Sequence, residues 1–206
     1  MEQVVDPAVS HRKFDREVAE YRSLENEYRR RGWILVKADF PEVLVLLAAT
    51  RLKPTPVVTG VRFDYSDYDL RPPSVKLVDP FTGEPHKHGA LPTHMLRAVE
   101  QEAPFGGAFP GVVLPAGAQA KFVTHQALMQ AYGPDEEPFL CLAGVREYHD
   151  HPGHSGDAWE LHRPQGAGRL VRLLGVIAKY GVDPISDYQV GLVPQVNGFV
   201  QSNVPA

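Results

Sequence analysis

The chain has 206 residues, and its 21 Lys and Arg against 25 Asp and Glu give a formal net charge of −4 at pH 7. Hydrophobic residues make up 43% and charged residues 22% of the sequence, which is ordinary for a globular protein and excludes disordered and fibrous classes. The balance is slightly acidic and no long run of Lys or Arg occurs, so we expect neither a nucleic acid nor a membrane as a partner.

The first predicted element is an amphipathic helix over residues 13–30. Its apolar side chains recur at intervals of three and four residues, which places them on one helical face, and Gly32 ends the helix. These apolar side chains are Phe14, Val18, Tyr21, Leu24 and Tyr28. The remaining faces carry Arg and Glu, a pattern that favours a solvated surface over a partner-binding face.

Four short apolar runs follow and predict four strands. They begin at Trp33 with WILVKAD and continue as EVLVLLAAT, VVTGVRFDY and VKLVD. Pro41, Pro54 and Pro56 separate the first three runs, and the turn residues of DPFTGEP close the fourth. An antiparallel meander is the simplest way to connect four such strands.

Residues 84–136 lack the regular apolar pattern of the preceding segments, and they predict an insertion that is mostly loop. Within it, the segments THMLRAVEQE and THQALMQAYG predict two helices, with an irregular stretch between them. After the insertion, PFLCLAGV predicts a brief buried strand that carries Cys141, and EYHDHPGHSGDAWELHRPQ predicts a polar loop. The periodic apolar residues of 168–180 predict a closing C-terminal helix.

Helices that precede and follow an antiparallel sheet favour an α+β fold over a doubly wound parallel sheet. We expect one domain over residues 1–206, whose core lies at about 13–83 and 137–181. The insertion then covers about 84–136, and a C-terminal tail covers 182–206.

Two features of the chain indicate a cytoplasmic protein. The N-terminus lacks the basic and apolar stretches of a secretory signal, and no run of 18 apolar residues occurs.

The single cysteine, Cys141, excludes an internal disulfide, and it also excludes a zinc site built from several thiolates.

The order of elements and several residues resemble the ubiquitin-conjugating enzyme (UBC) fold. Tyr68 and the paired Pro72 and Pro73 stand where that family has a tyrosine and paired prolines, although Asp69 replaces the proline after the tyrosine. Cys141 and Leu142 resemble the family's cysteine segment, and Trp159 resembles the tryptophan before its next helix; these residues carry the resemblance together. It implies an N-terminal helix, a four-strand meander and a catalytic cysteine. The family's His-Pro-Asn motif has no counterpart here.

The block CLAGVREYHDHPGH also resembles a bacterial family predicted to bind metal through Cys, Glu, His and His. Cys141, Glu147, His149 and His151 carry that resemblance. Such proteins occur with ubiquitin-like conjugation systems, so the resemblance implies three partners: a ubiquitin-like protein, a ubiquitin-activating-like enzyme and a JAB-type isopeptidase. It also implies a role in antiviral defence.

The position of Cys141 is compatible with two roles, a nucleophile or a structural residue. As a nucleophile it would hold a C-terminal acyl group as a thioester, since a thiolate is strongly nucleophilic and its thioester stays reactive to amines. His149 or His151 would then serve as the base, and Glu147 would orient that imidazole. The alternative is a structural cysteine buried in a short strand.

The histidine-rich segment also predicts a metal site. Glu147, His149 and His151 alternate, so an extended backbone would project all three to one side, and His154 lies slightly further along. Imidazole and carboxylate suit zinc, and Cys141 could supply another ligand. Three protein ligands would imply metal-assisted hydrolysis and four would imply a structural clasp, whereas without metal these histidines would simply be solvated.

Two functions therefore remain open. The first is a UBC-like transferase that accepts a ubiquitin-like C-terminus on Cys141, with His149 and Glu147 in catalysis, and transfers it to a target. The second is a noncatalytic zinc-binding accessory protein on the same scaffold, with Cys141, Glu147, His149 and His151 as ligands.

Overall fold

A computed structural model describes residues 6–102 and 121–189. The chain begins with two helices, α1 (Pro7–Ser23) and α2 (Glu25–Arg30), where the sequence predicts one helix over 13–30. The carboxylate of Asp6 accepts a hydrogen bond from the Ala8 backbone N–H at 2.9 Å, and this cap starts α1 earlier than predicted. A break at Leu24 then separates the two helices.

The predicted meander is confirmed. Four strands, β1 (Trp33–Asp39), β2 (Glu42–Ala48), β3 (Val57–Asp64) and β4 (Ser74–Val78), form one antiparallel sheet in the order β1-β2-β3-β4. The register places Val45 opposite Val61 and Val61 opposite Leu77. Because side chains alternate between the two faces of a strand, such cross-strand rows build one buried face.

The prediction of two helices in the insertion is wrong. β5 (Leu96–Glu102) and β6 (Lys121–Ala127) form a two-stranded antiparallel sheet, and β7 (Met129–Gln130) pairs with β8 (Phe139–Leu140). The short apolar groupings of 93–102 and 124–133 match a helical spacing, but the hydrogen bonds of each strand come from a distant partner. The brief strand predicted to carry Cys141 is shorter than expected, because it covers only Phe139–Leu140 and ends before the cysteine.

The last part of the described chain is helical. It contains α3 (Arg146–Asp150), α4 (Trp159–His162) and α5 (Leu170–Ile177), and α5 continues as a wider π-helical turn over Ala178–Val182. The predicted C-terminal helix is therefore confirmed, whereas the segment predicted as a polar loop holds α3, α4 and short 3-10 turns.

One hydrophobic core joins the sheet to the helices. Alternate residues of β2, β3 and β4 are buried, as are the apolar faces of α1 and α5. Its most fully buried members from these elements are Tyr21, Val43, Val45, Leu47, Val61, Phe63, Leu170, Leu174 and Ile177. Trp33 and Trp159 also belong to this core, as expected for packing residues.

The architecture confirms the α+β class. None of the helices in residues 6–102 and 121–189 is long and apolar enough to cross a membrane. The irregular stretch between the two predicted insertion helices lies largely outside the described residues, as does the part of the C-terminal tail from residue 190 onward.

A buried carboxylate ties the first helix to the last. Glu17 on α1 is 1% exposed, and its Oε2 accepts a hydrogen bond from the Leu170 backbone N–H, at the start of α5, at 3.2 Å. Its Oε1 accepts from the Arg16 guanidinium at 2.9 Å. A carboxylate suits this position because the first N–H groups of a helix lack partners within the helix and carry partial positive charge.

We expect Glu17→Ala to lower the free energy of unfolding by about 1–3 kcal/mol, because the buried Leu170 N–H loses its acceptor. Glu17→Gln keeps an oxygen in the same place and should lose less. Asp15→Ala, at an exposed position of the same helix, is the control and should stay within about 0.5 kcal/mol of the wild type. Urea unfolding followed by circular dichroism measures all three, and equal losses in the Ala and Gln variants would contradict the capping role.

Candidate functional site

Cys141 lies between the inserted strands β5–β8 and the helices α3–α5 that follow them in the chain. Its backbone N–H donates to the Leu128 carbonyl at 2.7 Å, and the Leu128 N–H donates to the Met95 carbonyl at 3.1 Å. These two bonds connect the Cys141 segment to the base of the β5–β6 hairpin. The side chain of Cys141 is partly buried and forms no disulfide.

The thiol lines a cavity of about 400 Å³. The walls come from β5, β6, the segment that runs from Cys141 into α3, and the helices α4 and α5. Its polar lining residues, besides Cys141, are Arg97, Gln126, Tyr148, His154, His162 and Arg172. The cavity therefore combines one potential nucleophile with cationic and imidazole side chains.

His154 is the imidazole beside the thiol. Its Nε2 lies 3.6 Å from the Cys141 Sγ, within hydrogen-bond distance for sulfur. The ring stacks on Tyr148, with ring centroids 3.9 Å apart and planes inclined at 22°. This stacking holds the imidazole in the orientation that a proton acceptor from the thiol requires.

Tyr148 is itself held by Asp157. Its hydroxyl donates to Asp157 Oδ2 at 2.6 Å, and His162 Nε2 lies 2.6 Å from Asp157 Oδ1. The hydrogen bond from Tyr148, followed by that from His162, keeps the pKa of the Asp157 carboxyl below its usual range. The same bond to Asp157 raises the pKa of Tyr148 to about 12, so the phenol keeps its proton at neutral pH.

His149, predicted as the base, is placed elsewhere. Its Nε2 lies 2.6 Å from the Ala143 carbonyl oxygen and its Nδ1 lies 2.8 Å from the Asp157 carbonyl oxygen. Both ring nitrogens therefore face backbone acceptors, and neither is directed to the Cys141 sulfur. The ring bridges the Cys141 segment and the turn at Asp157, which gives His149 a positioning role.

The extended backbone that would project Glu147, His149 and His151 to one side does not form, because Arg146–Asp150 is helical. Residues two apart on a helix point to different sides. Glu147 accepts hydrogen bonds from the Ser74 hydroxyl and, at 3.4 Å, from the Val75 N–H at the start of β4.

His151 is also turned to other partners. Its Nε2 lies 2.6 Å from the Tyr132 hydroxyl, and its ring stacks on Phe139 with centroids 4.9 Å apart. The structure thus brings His154, but not Glu147 or His149, into contact with the thiol.

The donor set predicted for zinc does not fit a single metal site in this arrangement. Cys141 contacts His154, whereas Glu147, His149 and His151 each point to the separate partners described above. Among residues 6–102 and 121–189, no three His, Cys, Asp or Glu side chains are grouped so that they could hold a metal ion.

Burial raises the pKa of the Cys141 thiol, and the positive charge of Arg97 opposes this only in part. The sulfur therefore carries its proton at neutral pH. A thiol in this state needs a proton acceptor when it attacks an electrophile, and His154 is the group in position to accept the proton.

Sequence reasoning missed Arg97, Gln126, Tyr148 and Asp157. Tyr148 and Asp157 lie within the histidine-rich segment, where a search for hydrogen-bond partners of the histidines could have found them. Arg97 and Gln126 belong to segments predicted as helices, and only the β5–β6 pairing brings them to the cavity.

Comparison with known proteins places the chain in a family. The family model described as Y4jH-like, Y4jH family, matches residues 5–185. A protein named "Uncharacterized protein y4jH" from Sinorhizobium fredii (strain NBRC 101917 / NGR234) is 39% identical over 198 residues, which cover 96% of this chain and 94% of that protein. The chain belongs to the Y4jH-like family. The family match spans every residue of the cavity.

Gly144 provides a test of how tightly the Cys141 segment is packed in this Y4jH-like protein. A Cβ at Gly144 would overlap the Ala167 carbonyl oxygen, whereas a Cβ at Gly156 would have no atom within 4 Å. We expect Gly144→Ala to cost about 1–3 kcal/mol of unfolding free energy through overpacking, and Gly156→Ala to be nearly neutral. Urea unfolding measures both, and equal stability of the two variants would contradict this packing.

The reactivity of Cys141 should depend on pH in a specific direction. Because burial raises its pKa, thiolate forms at higher pH in the folded protein than in the unfolded chain. We expect the rate of alkylation by iodoacetamide to rise at higher pH in the native protein than in the same protein in concentrated urea. The single cysteine makes mass spectrometry of the adduct unambiguous. A native profile displaced to lower pH would indicate a thiolate–imidazolium pair instead.

Proposed function

We propose that this protein is a cysteine-dependent acyltransferase of the ubiquitin-conjugating type. It accepts the C-terminal acyl group of a ubiquitin-like protein on Cys141 and transfers it to an amine or hydroxyl. The observation that carries the proposal is the contact of 3.6 Å between the chain's single thiol and His154 Nε2, at the wall of an open cavity. His154 replaces His149 as the proposed base.

The surroundings of the thiol support a UBC-like scaffold. The four-strand meander precedes the cysteine in the chain. Three of the residues that resemble the UBC family, Tyr68, Pro73 and Trp159, meet around Gly168. A Cβ on Gly168 would lie 2.8 Å from Pro73, 3.1 Å from Trp159 and 3.2 Å from Tyr68. The Trp159 indole N–H also donates to the Asp69 carbonyl at 2.9 Å.

The proposed reaction begins with attack by Cys141 on a thioester carbonyl. The Sγ–H proton passes to His154 Nε2 as the new carbon–sulfur bond forms, and the tetrahedral intermediate expels the donor's thiolate. That thiolate recovers the proton from His154, which returns the base to its starting state. An amine or hydroxyl of the target then attacks the Cys141 thioester, and the Cys141 sulfur leaves with the proton of the attacking group.

The proposal implies partners. Transfer of an acyl group to Cys141 requires an activating enzyme that presents a ubiquitin-like protein as a thioester, and a JAB-type isopeptidase would reverse the ligation. The rival proposal of a zinc-binding accessory protein has less support from the side chains, because its four ligands face different partners.

A synthetic peptide that ends in Gly-Gly as a C-terminal thioester tests the proposal. The wild-type protein should form a covalent adduct with the peptide that dithiothreitol removes, and Cys141→Ala should form none. His154→Gln should slow adduct formation by about 10²-fold or more, because it removes the proton acceptor. Intact mass spectrometry over time measures each rate.

His151→Gln is the matched control, since His151 belongs to the same segment but contacts Tyr132 and Phe139 instead of the thiol. It should react at close to the wild-type rate. An adduct that persists in Cys141→Ala, or an unchanged rate in His154→Gln, would overturn the proposal. So would stoichiometric zinc in the purified protein that is lost in the Cys141 variant.

A further inference from the structure

Two arginines give the cavity around Cys141 positive charge. The Asp157 carboxylate hydrogen-bonds the lining residues His162 and Tyr148 and not either arginine. Arg97 and Arg172 line the cavity, together with His154 and His162, and none of its described lining residues is Asp or Glu. Guanidinium groups recognise carboxylates and phosphates, often through two parallel hydrogen bonds. The thiol therefore shares a cavity with two arginines, and such a cavity favours an anion.

Arg97 is held in place but incompletely paired. It lies opposite Gln126 in the β5–β6 register, and its Nη2 donates to Gln126 Oε1 at 2.6 Å. Its Nε is buried and has no hydrogen-bond partner among the residues that the structure describes. A buried donor without an acceptor is costly and uncommon, and among the described lining residues no Asp or Glu balances the Arg97 charge. That unbalanced charge at the cavity wall points to an anionic ligand.

The hairpin fixes Arg97 relative to the thiol. Arg97 lies two residues beyond Met95, and Gln126 lies two residues before Leu128, the pair whose backbone bonds lead to Cys141. Arg172 comes from α5, a separate element, and its Nη1 donates to the Gln165 carbonyl at 2.8 Å. The two guanidiniums thus belong to rigid elements on different parts of the cavity wall.

The size of the cavity limits its ligand. About 400 Å³ lies near the lower end of the range for small-molecule sites, which run from roughly 300 to 1,000 Å³. This volume accommodates a small carboxylate or one or two residues of a peptide, but not a folded domain.

We propose that Arg97 and Arg172 form a subsite for a carboxylate of the molecule that reacts with Cys141. The inference rests on the proposed role of Cys141 as the nucleophile, and it adds a preference for anionic reaction partners. Arg97 contributes its guanidinium charge from β5, and Arg172 contributes a second, more exposed charge from α5.

Two alkylating reagents of similar size test the subsite. Iodoacetate carries a carboxylate and iodoacetamide is neutral, and both react with the same thiolate. The rate constant of iodoacetate is divided by that of iodoacetamide. The fraction of thiolate cancels in this ratio, so the ratio reports only the effect of the carboxylate. We expect this ratio to be roughly tenfold higher in the native protein than in the same protein in concentrated urea, at low ionic strength. About 1 M NaCl should lower it, because salt screens the attraction.

Substitutions of the arginines test which side chains cause the preference for iodoacetate. Arg97→Gln should lower the ratio several-fold, Arg97→Lys should retain most of it, and Arg172→Gln should lower it less. Arg163→Gln is the matched control, because Arg163 is exposed and does not line the cavity. The salt dependence of the wild type tests the proposal even where a variant fails to fold.

A native ratio equal to that in urea, or a ratio that Arg97→Gln leaves unchanged, would overturn the subsite. The alkylation assay uses no thioester, so the two proposals can fail separately. Failure of transfer from the peptide thioester with an intact charge preference would overturn the proposed function alone. Loss of the charge preference with intact transfer would overturn the subsite alone.

Discussion

The candidate site depends on one backbone hydrogen bond, from the Cys141 N–H to the Leu128 carbonyl. This bond joins the segment that carries the thiol to the inserted strands, which bring Arg97 and Gln126 to the same cavity. On its other side the segment is packed against the chain at Ala167, where Gly144 leaves no room for a Cβ. The sulfur is therefore held between an insertion and the core.

The electrostatics of the cavity follow from this placement. Partial burial favours the protonated thiol, while Arg97 opposes that effect with its positive charge. The phenol of Tyr148 stacks on the His154 ring and donates to Asp157, so a carboxylate two contacts away orients the imidazole beside the thiol. In the proposed reaction, this arrangement places the His154 imidazole where it can accept the proton of the thiol.

The parts of the fold that depend on local patterns could be predicted from the sequence. The continuous apolar run of β2 and the alternation of Val61 and Phe63 with Arg62 and Asp64 in β3 identify strands. The periodic residues of α5 likewise identify a helix, and short connections between successive strands made the meander predictable. Cys141 stood out because it is the single cysteine of the chain and because its segment resembles the cysteine segment of the UBC family.

The β5–β6 pairing was beyond such patterns, because each strand takes its hydrogen bonds from a partner well separated along the chain. The prediction for the histidine-rich segment failed for another reason. Its alternation of Glu147, His149 and His151 is equally compatible with an extended strand and with one short helix, and these two conformations direct the side chains to different places. The sequence by itself determined the α+β class, the meander and the presence of a single thiol. Only the tertiary structure decided which imidazole contacts that thiol and which arginines share its cavity, because both depend on contacts between different segments of the chain.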